Sequence, residues 1–213
     1  ELAKQRHNSF GKTEMWYVVQ ADKNASLVVG FKNKTNKNDY LKHLKNNTLV
    51  HILNETEVKK GDTFFLETGT VHAIGAGVLI AEIQQTSDIT YRLYDWDRVD
   101  ANGNGRELHN DLAVEAINYD ETNTKVTYKS KKNQSVNLVE CPFFVTNIID
   151  VSGNYNWKKK KESFTVLMCT EGSFVLVAPN LKSEFKKGDT VLIPAILEEF
   201  QIIGATSLLE ITI

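Results

Sequence analysis

The chain has 213 residues, and 25 Lys and Arg against 27 Asp and Glu give it a net charge of −2. This balance excludes a strong overall attraction to nucleic acids or anionic membranes. No apolar run approaches the ~20 residues that a membrane-spanning helix needs, and Cys141 and Cys169 lack the spacing of a CxxC metal or redox site. We therefore expect a cytoplasmic protein with no nucleic acid and no membrane partner.

Short runs rich in β-branched and aromatic residues dominate the chain and predict a mainly β protein. The predicted strands are 15–19, 26–31, 63–66, 77–84 and 90–94. Helical signal is sparse, and it indicates the end of a helix at 3–6, a turn or two at 38–44, and a helix capped by Asn110 and running to Ile117. The polar stretch 120–137 separates two textures and is the predicted domain boundary.

An internal repeat links the two halves, because Val58–Leu66 recurs as Phe185–Ile193. Each copy has a Lys-Lys-Gly-Asp turn followed by an apolar strand. Coincidence is the alternative, since Lys-Gly-Asp is a common hairpin turn, but the match along the whole segment favours a duplicated β-barrel. Counted from the turn, the first copy reaches His72 and the second Glu199. We therefore predict that only the first barrel can hold a metal.

Glu14 and His72 are the candidate metal ligands, because carboxylate and imidazole are both zinc-ligand types. Glu14 precedes a strand and alternates with Trp16 and Val18, so it points to a core-bound face. A buried carboxylate must be paired or bound to metal, and pairing with Lys12 is the alternative. For His72, which follows a glycine turn into a strand, the alternative is a hydrogen-bonded core histidine.

Arg92 alternates with Thr90 and Tyr94 in a predicted strand. An arginine on the inner face of a barrel suits an anionic or enediolate-like ligand, because its charged fork binds two oxygens at once. The alternative is a surface ion pair with Asp95 or Asp97. The other histidines lack metal-site spacing, and we interpret them as surface or structural residues: His7, His43, His51 and His109.

Three segments, taken together and in order, resemble the short bacterial form of the type I mannose-6-phosphate isomerase family: 11–17, 61–75 and 84–95. The resemblance continues to residue 213 through 140–144 and the second Lys-Gly-Asp strand. It implies two cupin-type (jelly-roll) β-barrels with a few short helices. The metal-binding barrel, with a helical insert, would occupy residues 1–130, and a small degenerate barrel residues 138–213.

The resemblance also implies the site. One divalent metal, most often zinc, would be bound by Glu14 and His72, with Arg92 as the catalytic arginine and with Lys12 and Glu82 lining the substrate pocket. The other ligands of the family, a Gln-x-His pair, precede the residues that match the start of this sequence. We therefore expect an N-terminally truncated first barrel that binds metal weakly, in a chain that is less active than its parent protein.

The implied reaction interconverts mannose 6-phosphate and fructose 6-phosphate through a cis-enediol, so the expected partner is a small sugar phosphate. The sequence leaves the general base open between Glu82, Lys12 and a water on the metal. Two alternatives from another class are a non-catalytic sugar-binding or regulatory cupin and an inactive fragment. A metal-dependent dioxygenase or epimerase is less favoured, because its metal site tends to use several histidines. The oligomeric state and the physiological metal are not determined by the sequence.

Overall fold

The computed structural model describes residues 1–121 and 123–213. Thr122 belongs to the predicted boundary stretch and lies outside the described residues. The chain divides into two compact units, the first comprising 1–60 and 64–124 and the second 61–63 and 125–213. The barrel limits taken from the sequence, 1–130 and 138–213, stay a prediction.

The first part of the chain is built from short strands, which confirms the mainly β prediction there. Its strands are β1 (Glu14–Ala21), β2 (Ser26–Phe31), β3 (Leu53–Glu57), β4 (Thr63–Leu66), β5 (His72–Ile74) and β6 (Val78–Gln84). Within one sheet β1 lies between β6 and β4, and within another β2 lies between β3 and β5. The strands predicted at 15–19, 26–31, 63–66 and 77–84 are therefore confirmed.

Helices are short throughout the described residues. They are α1 (Leu2–His7), α2 (Lys37–Lys45), α3 (Asn110–Ala113) and a 3-10 turn at Leu49–His51. Asn36 caps α2, because its side chain accepts a hydrogen bond from the Asp39 backbone N–H at 3.0 Å. Across residues 1–121 and 123–213, every helix is too short or too polar to cross a bilayer.

Two predicted elements are wrong in type or extent. Residues 90–94 form no strand, because the Arg92 backbone bonds to His109 instead of a neighbouring strand: its N–H donates to the imidazole Nδ1 and its carbonyl accepts from the His109 N–H. The helix expected to reach Ile117 ends at Ala113. Asn110 does not cap it, since its side-chain oxygen accepts a hydrogen bond from the Tyr40 hydroxyl.

Strand β1 runs through the core of the first unit, and its first six residues are all buried. Trp16 and Val18 belong to one apolar cluster with five further buried residues: Leu27, Val29, Val58, Phe64 and Leu66. Glu14 is the first residue of this strand and is 0% exposed. The packing of the strand thus carries a carboxylate into the interior, as the alternation predicts.

The second unit contains the remaining strands: β7 (Lys125–Val126), β8 (Ser135–Glu140), β9 (Val145–Lys158), β10 (Thr165–Ala178), β11 (Leu181–Lys186), β12 (Thr190–Ile193) and β13 (Glu199–Thr212). The order within its sheet is β11-β10-β13-β9-β8, and β12 also pairs with β10. A single large apolar cluster, which includes Trp157, Leu167 and Phe200, fills its core.

The repeated turn has the same local conformation in both copies. Gly61 has φ 88° and Gly188 has φ 95°, a left-handed conformation that favours glycine, and each precedes a four-residue strand. Beyond the turn the copies differ. His72 begins β5, whereas Glu199 begins β13 as an exposed residue 3.6 Å from Lys158.

Candidate functional site

Glu14 and His72 meet inside the first unit although they begin strands of different sheets. Glu14 Oε1 lies 3.2 Å from His72 Nε2, and it accepts no hydrogen bond from any described residue. The other ring nitrogen, Nδ1, lies 2.8 Å from the Thr70 carbonyl oxygen. Because a carbonyl can only accept, Nδ1 carries a proton, and a neutral ring then turns the Nε2 lone pair toward the carboxylate. Two acceptors this close require a cation between them, either a proton on His72 or a metal ion.

The chemistry of this pair fits one edge of a zinc site. Two ligands with bonds of ~2.1 Å in a tetrahedral site lie ~3.4 Å apart, close to the 3.2 Å between Glu14 Oε1 and His72 Nε2. Fixing the far ring nitrogen of a ligating histidine on a carbonyl is also the usual outer-shell arrangement. Within residues 1–121 and 123–213, however, no three His, Cys, Asp or Glu side chains are grouped as metal ligands. Glu14 and His72 therefore form a partial ligand set.

The second oxygen of Glu14 is bound by Lys12 and Trp16. Lys12 Nζ lies 2.7 Å and Trp16 Nε1 3.2 Å from Oε2. Both donors also reach Glu82, with Trp16 Nε1 at 2.9 Å from Oε2 and Lys12 Nζ at 3.2 Å from Oε1. This arrangement arises because Trp16 on β1 lies directly opposite Glu82 on β6. The Lys12–Glu14 pair considered as an alternative to metal binding is thus present alongside the His72 contact.

The carboxylate of Glu14 is held in its ionised form. Burial by itself raises the pKa of Glu14, but the close contacts and charges of His72 and Lys12 outweigh it and lower the pKa to about 2. The result is a buried anion with one oxygen saturated and one open. An open anionic oxygen in the interior is stabilised by a cation or by a further donor.

Lys12, Glu14, His72 and Arg92 all line one cavity of about 540 Å³ in the first unit. This volume falls within the range of small-molecule sites. Glu82 does not line it and contacts the cavity wall through Lys12. The structure therefore brings four of the five predicted site residues to one cavity and puts the fifth directly behind them.

Arg92 is held by a different part of the wall. Its guanidinium Nη1 donates to the Glu107 carbonyl at 3.1 Å, and its backbone N–H donates to His109 Nδ1 at 3.0 Å. Among the described contacts Arg92 forms no ion pair with Asp95 or Asp97, so that alternative is wrong: Asp95 is bound by Arg98 and Arg106, and Asp97 accepts a hydrogen bond from the Tyr94 hydroxyl at 3.4 Å.

A glycine turn positions the His72 strand. Gly69 has φ 95°, and a Cβ at this position would lie 2.5 Å from the Ala116 carbonyl oxygen. The Gly69 carbonyl accepts a hydrogen bond from Asn118 N–H at 2.9 Å. Only glycine satisfies both the backbone angle and the close approach. Residues 116–118 therefore hold the turn in place at Gly69, which precedes the candidate ligand His72 by three residues.

Sequence reasoning missed the residues that support the site. Trp16 was interpreted as a core residue, yet its indole N–H joins both carboxylates. His109, interpreted as surface or structural, holds the backbone of Arg92. The cluster of Asp95, Arg98 and Arg106 was not identified. A signal existed for Trp16, since it follows Glu14 by two positions on the same strand face; His109 carries none in its spacing.

Comparison with known proteins identifies a family for the second part of the chain and relatives for almost all of it. Residues 134–213 match the family model described as mannose-6-phosphate isomerase, cupin domain. The chain is 36% identical over 201 residues to mannose-6-phosphate isomerase ManA of Bacillus subtilis, covering 93% of this chain and 63% of that protein. It is 31% identical over 204 residues to mannose-6-phosphate isomerase of Streptococcus mutans, covering 95% of this chain and 64% of the relative.

Solved structures agree with these relatives. The crystal structure of the mannose 6-phosphate isomerase from Bacillus subtilis superposes with a TM-score of 0.90 at 30% identity, covering 100% of this chain and 68% of that one. A putative mannosephosphate isomerase from Archaeoglobus fulgidus has a TM-score of 0.76 at 21% identity, covering 99% of this chain and 64% of that one, which supports the fold alone. This chain therefore spans a little less than two thirds of the curated relatives that it matches.

Proposed function

Because this chain belongs to the mannose-6-phosphate isomerase family of cupin-fold proteins, we propose that it carries the substrate cavity of a metal-dependent aldose–ketose isomerase. The substrates proposed are mannose 6-phosphate and fructose 6-phosphate, interconverted through a cis-enediol. The observation that carries the proposal is the contact of Glu14 Oε1 with His72 Nε2 at 3.2 Å, on the wall of a cavity that also contains Arg92 and Lys12.

Glu14 and His72 would hold the metal, with zinc as the proposed ion. When bound, a divalent metal polarises substrate oxygens and lowers the cost of the negative charge that develops on them. The partial ligand set implies weak binding by these two residues alone, since catalytic zinc sites usually have three protein ligands. Trp16 and Lys12 keep the second oxygen of Glu14 occupied, so that only Oε1 is free to bind.

Arg92 would stabilise the enediolate oxygens. Its guanidinium is always charged and can bind two oxygens together, and it lies on the cavity wall with only one of its N–H groups directed to the Glu107 carbonyl. Charge stabilisation of this kind is commonly the largest single contribution to catalysis. The hold of His109 on the backbone of Arg92 would keep the guanidinium aimed while the charge develops.

Lys12 and Glu82 would bind and orient the sugar hydroxyls near the proton transfer. The ammonium of Lys12 lines the cavity and contacts Glu82 behind it. Both oxygens of Glu82 accept hydrogen bonds, one from Lys12 and one from Trp16. These two hydrogen bonds hold the carboxylate in place, which makes Glu82 our candidate for the general base once a substrate hydroxyl displaces Lys12 from it.

The proposed location is the cytoplasm. A sugar phosphate of metabolism is found there, and the two free thiols, Cys141 and Cys169, suit its reducing conditions.

The test couples fructose 6-phosphate formation to a reporter enzyme, with and without a chelator, and measures zinc by elemental analysis. His72→Ala should remove bound zinc and any turnover, whereas the exposed control His51→Ala should keep both. Unchanged zinc content in His72→Ala would refute the ligand assignment. Glu82→Gln should lower turnover with zinc retained, and full turnover in that variant would remove Glu82 as the base.

A second candidate is sugar-phosphate binding by this chain without turnover. It is favoured by one observation, the lack of any three-residue metal cluster in the part of the chain that the structure describes. The same assay separates the two, because a binder would retain affinity for mannose 6-phosphate and show no chelator-sensitive formation of fructose 6-phosphate.

A further inference from the structure

A second charged group lies on the cavity wall and takes no part in the metal chemistry. Asp95, Arg98 and Arg106 all line the cavity that contains Glu14 and His72. Asp95 is buried, with 6% of its surface exposed, while the side chains of Arg98 and Arg106 are 63% and 54% exposed. Two cations thus face the cavity around one buried anion. We refer to these three residues as the arginine clamp.

The clamp is a built arrangement. Arg106 Nε donates to Asp95 Oδ2 at 2.7 Å, and its Nη2 donates to Oδ1. Arg98 Nη2 donates to the same Oδ1 at 2.7 Å, and its Nε donates to the Asp95 carbonyl at 3.2 Å. Each guanidinium therefore binds Asp95 through the edge formed by its Nε and Nη2 groups. Among the described residues, Nη1 of neither arginine makes a hydrogen bond, which leaves donors for a ligand in the cavity.

The backbone of the clamp is also unusual. Trp96 and Asp97, between Asp95 and Arg98, have φ 51° and 52°. Two consecutive non-glycine residues in the left-handed region are uncommon, and such conformations persist only where the surroundings enforce them. The Asp95–Arg98 contact spans this turn, and the Arg98 guanidinium also lies 5.7 Å from the centre of the Trp96 ring. The turn thus fixes the direction of Arg98.

The arginine clamp carries a net positive charge. The hydrogen bond from Arg106, with the charges of both arginines, lowers the pKa of Asp95 to about 2, so Asp95 is ionised at neutral pH. Two guanidiniums around one carboxylate leave one positive charge. At the other group, one Lys12 ammonium already lies between the carboxylates of Glu14 and Glu82. A dianionic group is attracted to the two guanidiniums and repelled by these carboxylates.

We propose that Arg98 and Arg106, held by Asp95, bind the phosphate monoester of the substrate. This assignment rests on the proposed function for its substrate and adds the residues that select a phosphorylated sugar over a free one. A phosphate offers the oxygens that arginine forks bind in pairs. Asp95 follows Arg92 by three residues, so their Cα atoms lie no more than about 11 Å apart. A separation within that limit suits an open-chain hexose with its carbonyl end at Arg92 and its phosphate at the clamp.

The test measures binding calorimetrically in the full chain with a chelator present, so that metal chemistry does not contribute. The probes are mannose 6-phosphate, mannose and inorganic phosphate. Arg98→Ala leaves Asp95 paired with Arg106, and Arg106→Lys keeps a cation beside Asp95 while removing the fork. Each should weaken mannose 6-phosphate binding about 10- to 100-fold, the usual effect of losing a hydrogen bond to a charged group. Affinity for mannose should not change.

Two controls make the result specific. Lys34→Gln removes one positive charge from an exposed pair with Asp120, away from the cavity, and should leave mannose 6-phosphate binding within about twofold. Arg92→Ala should weaken mannose 6-phosphate and mannose together and keep their affinity ratio. Inorganic phosphate should compete with mannose 6-phosphate in the wild-type chain and fail to compete in Arg98→Ala.

The proposal is overturned if the wild-type chain binds mannose 6-phosphate no better than mannose. It is equally overturned if both clamp variants, folded by circular dichroism, keep that preference. These outcomes are separate from the isomerase assay. If phosphate binding depends on the two arginines but no turnover is found, the clamp is supported and the proposed reaction is contradicted. If turnover is found but the preference for the phosphorylated sugar is the same in both arginine variants, the reaction is supported and the clamp is contradicted.

Discussion

Glu210 in the second unit is a buried carboxylate whose contribution to stability can be worked out from its contacts. The residue is 3% exposed, and its side chain accepts hydrogen bonds from four donors. Trp157 Nε1 lies 2.6 Å from Oε1, and Ser135 Oγ, Asn147 Nδ2 and Lys160 Nζ lie 2.7, 2.9 and 3.2 Å from Oε2. Both oxygens accept hydrogen bonds, in contrast to the open Oε1 of Glu14.

Glu210→Gln should lower the free energy of unfolding of the second unit by about 3 kcal/mol. The amide replaces one carboxylate oxygen by a donor, which then faces either Trp157 or the three donors on the other side. At least one hydrogen bond to a charged group is lost, at ~1.5–3 kcal/mol, and a buried donor is left unsatisfied, at ~1–3 kcal/mol. Together these two losses amount to ~2.5–6 kcal/mol. Because the exposed Lys160 can rearrange and recover part of this loss, we expect a value near the lower end, about 3 kcal/mol.

The pH dependence has a definite sign. Burial by itself raises the pKa of Glu210, but the hydrogen bond from Ser135, the charge of Lys160 and the bonds from Asn147 and Trp157 together lower it below its ordinary value. Its stabilisation is therefore complete above the unfolded pKa, ~4.3, and is lost as the pH falls through the lower folded value. The difference between the wild-type chain and Glu210→Gln should shrink at pH 3.5.

Urea unfolding at pH 7 and pH 3.5, monitored by circular dichroism and tryptophan fluorescence, measures both effects. Glu199→Gln is the matched control, because Glu199 lies on the same strand with its side chain 70% exposed and only a 3.6 Å pair with Lys158. It should change stability by less than about 0.5 kcal/mol. Equal losses in the two variants, or a Glu210→Gln effect independent of pH, would refute the reasoning.

Three further predictions concern the first unit. Gly69→Ala should destabilise it by about 1–3 kcal/mol in thermal unfolding, because a Cβ would lie 2.5 Å from the Ala116 carbonyl at a φ of 95°; a wild-type melting temperature would contradict this. Trp16→Phe should cost about 1–3 kcal/mol, since Glu14 and Glu82 lose a shared donor, and a silent variant in urea unfolding would show that solvent replaces the indole. For the proposed isomerisation, Arg92→Ala should lower turnover about 10²- to 10³-fold with bound zinc unchanged, and near-normal turnover would remove Arg92 from the mechanism.

Local structure followed from local pattern. The alternation around Trp16 predicts a strand with Glu14 on its inner face, and Glu14 is indeed fully buried. The Lys-Gly-Asp turns predict an apolar strand after each turn, and such strands follow Gly61 and Gly188, which the structure shows in the left-handed conformation. These features depend on backbone angles and on the two-residue period of a strand, which neighbouring residues determine.

The sequence pattern gave a wrong secondary structure where a segment bonds to residues that are distant in sequence. The alternation at 90–94 resembles a strand, but the backbone of Arg92 bonds to His109. Asn110 resembles a helix cap, but its oxygen is taken by the Tyr40 hydroxyl. In both cases a tertiary contact competes for the same hydrogen-bonding group, and no local preference reveals that competitor.

The sequence by itself determined the strand texture, the repeated turn and, through family resemblance, the set of candidate residues. Only the tertiary structure decided that Glu14 Oε1 and His72 Nε2 lie 3.2 Å apart, that Lys12 and Trp16 join two carboxylates, and that Asp95 binds Arg98 and Arg106. Pleating determines the face on which a side chain lies, whereas the distance between side chains on strands of different sheets depends on how those sheets pack. Coordination and charge pairing act over a few ångströms, so the chemistry of this site is set by that packing.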